Sequence, residues 1–284
     1  MADERPVRAP QDAVAPAAGR AAAFFDLDKT LMQGSSGFQF ARALREAGML
    51  SRRQLLADGV ANLRFRLHGA SDAQSEAVRL RVASSLAGVR VRDLERLAAP
   101  AIQRILPRLY PQMLEIAYAH QDAGRPTYIV TAAAEGMAAL LARVLAFDGG
   151  LGSSLSEERD GYYTGRPTGE FLYGAAKAAA VRRLAARERL ELASSYAYSD
   201  SISDAPMLRL VGHPVAVNPD VELERLALGE GWEILRLDRL GRRLAAGGVL
   251  AAAAVAGAAT ATLVRRTGAV AEKLAPLLTD QSIG

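Results

Sequence analysis

Asp26 and Asp28, two carboxylates two residues apart, directly follow the apolar run 21–25 and precede Thr30, Gly34 and Gly37. An apolar run closed by loop residues predicts a buried strand. Carboxylates leaving the carboxyl end of such a strand stand where α/β sheets place their ligands. There one carboxylate can attack phosphorus while its neighbour handles the proton. The same pair can also make an Asx-turn, a helix cap or a simple cation site, so the chemistry needs further residues.

Three later segments supply them. Residues 125–130 form a second predicted strand, introduced by Gly124 and closed by Thr131. A small hydroxyl at a strand end can bind a phosphate oxygen with help from adjacent N–H groups. Thr131 reads equally as the cap of a helix over 134–146. Lys177 lies in the Ala-rich stretch 173–186, which predicts a helix and would also accommodate a lysine on a solvated face. A third strand, 196–199, runs into Asp200, Ser201, Ile202, Ser203 and Asp204, which lead an apolar helix. Two carboxylates one helical turn apart suit Mg²⁺, which takes few protein oxygens and keeps positions for water and phosphate. The plainer reading makes Asp200 an N-cap and Asp204 a dipole partner.

In this order, strand–Asp-x-Asp-x-Thr, strand–Thr, helical Lys and strand–Asp-x-x-x-Asp, the chain resembles the haloacid dehalogenase superfamily of phosphohydrolases over about residues 21–238. It is most similar to the phosphoserine-phosphatase-like branch, which inserts a helical cap between the first two motifs. The phrase from Asp160 to Gly165 and that from His213 to Asp220 support the resemblance. It implies Asp26 as nucleophile, Asp28 as general acid and base, and Thr131 and Lys177 as phosphate ligands. It further implies Mg²⁺ held by Asp26, Asp200 and the backbone carbonyl of Asp28, with Ser203 and Asp204 in support. The implied activity is Mg²⁺-dependent hydrolysis of a small phosphomonoester, a metabolite or a lipid head group, through an aspartyl-phosphate. Two departures qualify it. Ser35 stands where phosphoserine phosphatases place a glutamate that reads the substrate's amino group, and Ser203 stands where an asparagine is usual. Phosphoserine hydrolysis proper, and a membrane-tethered regulatory or interaction protein on the same fold, are the alternative readings.

The elements that must position these residues follow from the breaks. Alternating strands and helices predict a mainly parallel, Rossmann-like α/β sheet with helices on both faces. Residues 21–34 and 109–240 form that expected core, and 35–108, with helical patterns only, the expected all-helical cap. Ser51 with Gln54 and Ser71 with Gln74 read as capping boxes, and Pro100, Pro107 and Pro111 mark the return to the sheet. A crossover helix is predicted over 110–123, a turn-rich stretch with a small hairpin over 149–169, and further strands at 215–217 and 232–237.

Composition narrows the function classes. The 284 residues, half of them apolar, can bury a sizeable core. With no cysteine, disulfides, thiolate zinc sites and a cysteine nucleophile are excluded. Three histidines, His68, His120 and His213, make a histidine-rich metal site unexpected. The net charge of +4 is spread as arginines along helical stretches, without the stacking aromatics that nucleic-acid binding needs. Solvated faces are the main reading of arginines such as Arg42, Arg64, Arg79 and Arg81, with one or two reaching an anionic substrate as the second. Residues 1–20 read as a disordered tail without the continuous apolar core of a signal peptide, so the chain is expected in the cytoplasm. Residues 244–264 are uncharged and flanked by arginines, and would span about 31 Å as a helix. Their Ala and Gly content makes membrane insertion marginal. Association with the cytoplasmic face of a membrane, a docked helix and an oligomerising hairpin are all open for this segment.

Overall fold

The computed structural model describes residues 19–49 and 72–237, and elements are numbered within them. Six strands form one parallel sheet: β1 (Ala23–Phe25), β2 (Thr127–Ala134), β3 (Gly149–Ser153), β6 (Tyr196–Ser199), β7 (His213–Val217) and β8 (Glu233–Leu235). Their order is β3-β2-β1-β6-β7-β8. The chain works outward from β1 to β3, then returns to lay β6 on the other side of β1. The sheet therefore reverses direction between β1 and β6, and in α/β proteins the crevice beyond such strand ends takes the ligand. All three β1 residues are buried, as the apolar run required.

Alternation along β1 explains why both faces are covered. Phe24 packs with Tyr128, Val130 and Ala197 against α7 (Ala175–Glu188), α8 (Ala205–Leu208) and α9 (Val221–Glu230). Phe25 points the other way, stacked on Tyr198 and against His120 of α5 (Pro111–Asp122). His213 opens β7 and stacks on Tyr196, a structural role.

Between β1 and β2 the described residues are helical: α1 (Ser36–Glu46), α2 (Asp72–Ser85), α3 (Val91–Arg96), α4 (Ala98–Ile105), a 3₁₀ turn at Leu106–Arg108, and α5. Pro100, expected to mark the return to the sheet, lies inside a helix of the insertion. It is the third residue of α4, in the first turn, where its missing N–H has no intrahelical partner to lose. Pro111 starts α5 for the same reason. A short hairpin, β4 (Glu158–Arg159) with β5 (Tyr162–Tyr163), is tied to the insertion by three backbone bonds. Gly88 N–H donates to Tyr163 O at 2.9 Å, Tyr163 N–H to Val89 O at 2.9 Å, and Val91 N–H to Gly161 O at 3.0 Å.

One element departs from the sequence reading. Residues 149–153, expected as turn, form the edge strand β3. Its glycines admit α6 (Glu135–Val144): a Cβ on Gly150 would stand 2.3 Å from Ala138 O, and one on Gly152 2.5 Å from Glu135 Cα. Close packing of the helix, rather than turn formation, accounts for them.

Residues 1–18, the Ser51–Gln54 capping box, Ser71 and residues 244–264 lie outside the described residues. Among the described residues no helix is long and apolar enough to cross a membrane. The elements above belong to one compact unit, Met1–Leu235; a second starts at Arg236.

Candidate active site

Two neighbouring strand ends build the site. Asp26 follows β1, and its N–H donates to Tyr198 O at 2.9 Å, carrying the strand pairing one residue further. Asp200 follows β6, hydrogen-bonded neighbour of β1 through the Phe25–Tyr198 register. Adjacent strands run about 4.8 Å apart, so both carboxylates open into one crevice. Asp220 holds the second loop in place. Its N–H donates to Asp200 O at 2.8 Å, and its carboxylate accepts from Ile202 N–H at 3.0 Å and from Leu223 N–H at 2.8 Å, capping α9.

Lys177 lies in the first turn of α7 and is only 4% exposed. The solvated-face reading of this lysine does not hold. Its Nζ donates to Asp26 Oδ1 at 2.5 Å and to Asp204 Oδ2 at 2.7 Å. Asp204 Oδ2 also accepts from Ser199 Oγ at 2.7 Å, whereas its buried Oδ1 has no hydrogen-bond partner. Burial works to lower the Lys177 ammonium, but Asp204 and Asp26 outweigh it and hold it above the ordinary lysine range. Burial pushes the Asp26 carboxyl up to about 8. Lys177 opposes the rise, while Asp204, Asp200 and Asp28 reinforce it. Both partners of this ion pair move upward for different reasons: burial first, then the neighbouring carboxylates, raises Asp26, while the two carboxylates raise Lys177 against its burial.

Asp28 has both oxygens engaged: Oδ1 accepts from Ser36 N–H at 2.8 Å and Oδ2 from Ser35 Oγ at 3.1 Å. Lys29 adopts a left-handed φ of 60°, a conformation that costs a non-glycine residue roughly 1 kcal/mol or more. Its Nζ lies 3.4 Å from Asp200 Oδ2. Burial raises the Asp200 carboxyl to about 6, with Lys29 opposing.

Thr131 is buried within β2, further into the strand than expected. Its Oγ1 accepts from Ala133 N–H at 3.1 Å, so that amide is turned inward, while the hydroxyl proton remains available to donate. It does not cap α6, whose N-cap is Ala134. The Ser203 hydroxyl donates to Ser201 Oγ at 3.2 Å. Sequence reasoning missed Lys29, Ser199 and the Asp28-binding role of Ser35; only the charge of Lys29 beside the acidic pair could have signalled any of them.

A cavity of about 520 Å³ opens beside this cluster, lined by Glu76 and Arg79 of α2 and by Phe171, Tyr173, Gly174 and Ser203 among others. Ala176 and Ser203, the sequence neighbours of Lys177 and Asp204, line it, whereas Lys177, Asp204, Asp26, Asp28 and Thr131 do not. Arg79 pairs with Glu76 at 3.2 Å, donates to Gly169 O at 3.0 Å and keeps its buried Nε without a partner.

The donor set fits a small hard cation. Among the described residues no three acidic, histidine or cysteine side chains converge as a ready-made metal centre. Yet Asp26 Oδ2 and Asp200 Oδ1, on adjacent strand ends, are left without a protein donor by the contacts above. Two carboxylate oxygens in an over-negative crevice suffice for Mg²⁺, which completes its shell with water and phosphate.

The haloacid dehalogenase-like hydrolase family profile matches residues 23–209. A phosphoserine phosphatase of Mycobacterium tuberculosis is 40% identical over 250 residues, 87% of this chain and 81% of that one. Among solved structures, a Bordetella pertussis protein of unknown function superposes with a TM-score of 0.68 at 28% identity, over 77% of this chain and 99% of its own. A phosphoserine phosphatase carrying a phospho-aspartyl intermediate analogue shares the fold, with a TM-score of 0.58 at 20% identity over 77% of this chain and 93% of that one.

Proposed function

Because the chain belongs to the haloacid dehalogenase-like hydrolases, and is a phosphatase among them, we propose that it hydrolyses small organic phosphomonoesters in two displacements through Asp26. The observation that carries this reading is the Asp26 carboxylate at the strand-order reversal, held by buried Lys177 on one oxygen and without a protein donor on the other. Uncatalysed phosphomonoester hydrolysis is slow enough to need acceleration approaching about 10²¹-fold. Dividing the reaction at a covalent intermediate lowers each barrier.

In the first displacement an Asp26 oxygen forms a bond to phosphorus as the bond to the leaving oxygen breaks. Asp28 gives that oxygen its proton. In the second, Asp28 takes a proton from water, the water oxygen attacks phosphorus, and the Asp26–phosphorus bond breaks to release phosphate. Lys177 and the Thr131 hydroxyl hold the equatorial oxygens. Mg²⁺ held by Asp26, Asp200 and the Asp28 carbonyl would supply the positive charge that lets two anions meet. Asp204 and Ser199 act at one remove, by fixing the Lys177 ammonium. We assign substrate selection to the insertion, whose Arg79 and Glu76 line the cavity together with Phe171 and Tyr173. Ser35 supplies no carboxylate for an ammonium group and is occupied with Asp28, which disfavours phosphoserine as preferred substrate.

The test is a panel of amino-acid, alcohol, sugar and head-group phosphomonoesters with Mg²⁺, run on wild type and Asp26→Asn. The variant should melt normally and lose at least about 10³-fold in kcat on every substrate turned over. Wild-type turnover by Asp26→Asn would exclude the nucleophile assignment. A kcat/KM for phosphoserine above every other ester would restore the phosphoserine phosphatase reading.

A further inference from the structure

Lys29 keeps a side chain in a left-handed backbone position that glycine would fill without strain. That side chain reaches across to Asp200 and places its ammonium 3.4 Å from Oδ2. Lys177 and Lys29 are the described cations paired with Asp26, Asp200 and Asp204, and the two differ in kind. Lys177 is buried between two carboxylates and cannot withdraw. The Lys29 side chain is 45% exposed while Asp200 is 10% exposed, so Lys29 can swing into solvent without disturbing packed neighbours. An ion pair at the water's edge is held weakly. Like charges at one carboxylate also repel, so Lys29 and a divalent cation cannot both occupy Asp200 at full strength.

We propose that Lys29 is an internal competitor of the metal: it neutralises Asp200 while the site holds no divalent cation, and it lowers the site's affinity for Mg²⁺. The proposal rests on the reading of Asp200 as a metal ligand. It makes Lys29 a positioning residue, which touches neither substrate nor phosphorus and acts through Asp200. In this arrangement the metal-free protein is protected from its own excess of carboxylates, and the metal exchanges readily.

Titration calorimetry with MgCl₂ on wild type, Lys29→Met, Lys29→Gly and Lys29→Arg, with Asp200→Asn as control, separates the outcomes. Lys29→Met should bind Mg²⁺ roughly ten-fold more tightly than wild type, the scale expected for removing one charge beside a cation in a water-exposed setting. Lys29→Gly should match it, which separates loss of charge from relief of backbone strain, and Lys29→Arg should stay near wild type. Without metal, Lys29→Met should melt below wild type and gain more from saturating Mg²⁺. Equal or weaker Mg²⁺ binding by Lys29→Met overturns the proposal and leaves the metal reading intact. Absence of Mg²⁺ binding by wild type and all Lys29 variants overturns both.

Discussion

In the proposed reaction Asp28 must point one oxygen at the leaving group, and among the residues that hold it are Ser36, through its amide, and Ser35, through its hydroxyl. The amide is fixed by the start of α1, but the hydroxyl can rotate and release Oδ2 to the proton in flight. Ser35→Ala should therefore lower kcat by about ten-fold, the scale of one hydrogen bond to a charged group, with little change in KM. Ser35→Thr should restore most of it. A raised KM with unchanged kcat would place Ser35 against the substrate instead. Asp26 and Asp200 were legible as carboxylates leaving buried strands, because the apolar runs before them mark the strand ends; Lys177 was singled out only by the resemblance, since its Ala-rich helix suited a solvated face at least as well. Ser199 and Lys29 were not legible. Ser199 is the last residue of a buried strand, and only the fold brings its hydroxyl to Asp204. Lys29 carries a charge, but its direction depends on a positive φ that no neighbouring residue type announces.

Elements with a strong apolar signature fell close to expectation: the strand 196–199 matches β6, and α5 and α7 differ from their predicted spans by a residue or two. The edge strand β3 was hidden because glycine, which usually marks turns, here serves the approach of α6. The two uses leave the same letter in the sequence and different consequences for substitution. Gly150→Ala should destabilise the protein by about 1–3 kcal/mol, since the new methyl meets backbone at Ala138 that cannot step aside. A glycine facing open space, such as Gly136 in the first turn of α6, should tolerate alanine. Urea melts of the two variants compare them directly, and equal stability would mean that α6 can shift away from the sheet.

Across the whole sheet, the face opposite the Lys177 helix carries a second buried polar group. His120 accepts from Arg125 Nε at 2.7 Å through Nδ1, so its Nε2–H is the donor to Tyr198 Oη at 2.7 Å. Burial, followed by the Arg125 charge, lowers this histidine to about 4. Unfolding returns it to an ordinary value near 6.5. Its contribution to stability is thus complete above about pH 6.5 and is lost as pH falls towards 4, because the unfolded chain gains a proton that the folded one refuses. Asp26 and Asp200, raised when folded, contribute the opposite slope over part of the same range. The informative quantity is therefore the gap between wild type and His120→Gln. It should stand near 1–2 kcal/mol at pH 7.5, as usual for a broken buried network, vanish between about pH 5 and 6, and reverse towards pH 4, because the depressed histidine costs the fold roughly 3 kcal/mol by then. A gap independent of pH would mean that His120 takes up its proton as readily in the folded as in the unfolded chain, so that burial does not depress it.

The three backbone bonds between residues 88–91 and the β4–β5 hairpin give the helical insertion a third attachment, besides its two covalent connections to β1 and β2. Arg90 reinforces it, donating to Tyr162 Oη at 2.9 Å with its guanidinium over the same ring. An insertion joined only at its two ends is a portable module, free to be exchanged between related chains as a unit. Here the module's boundary is discontinuous in sequence: it includes a hairpin encoded some seventy residues downstream, after β2 and β3. Transplanting the helices alone would leave Gly88, Val91 and Tyr163 without their backbone partners, so recombination that preserves the insertion's attachment must carry both pieces together.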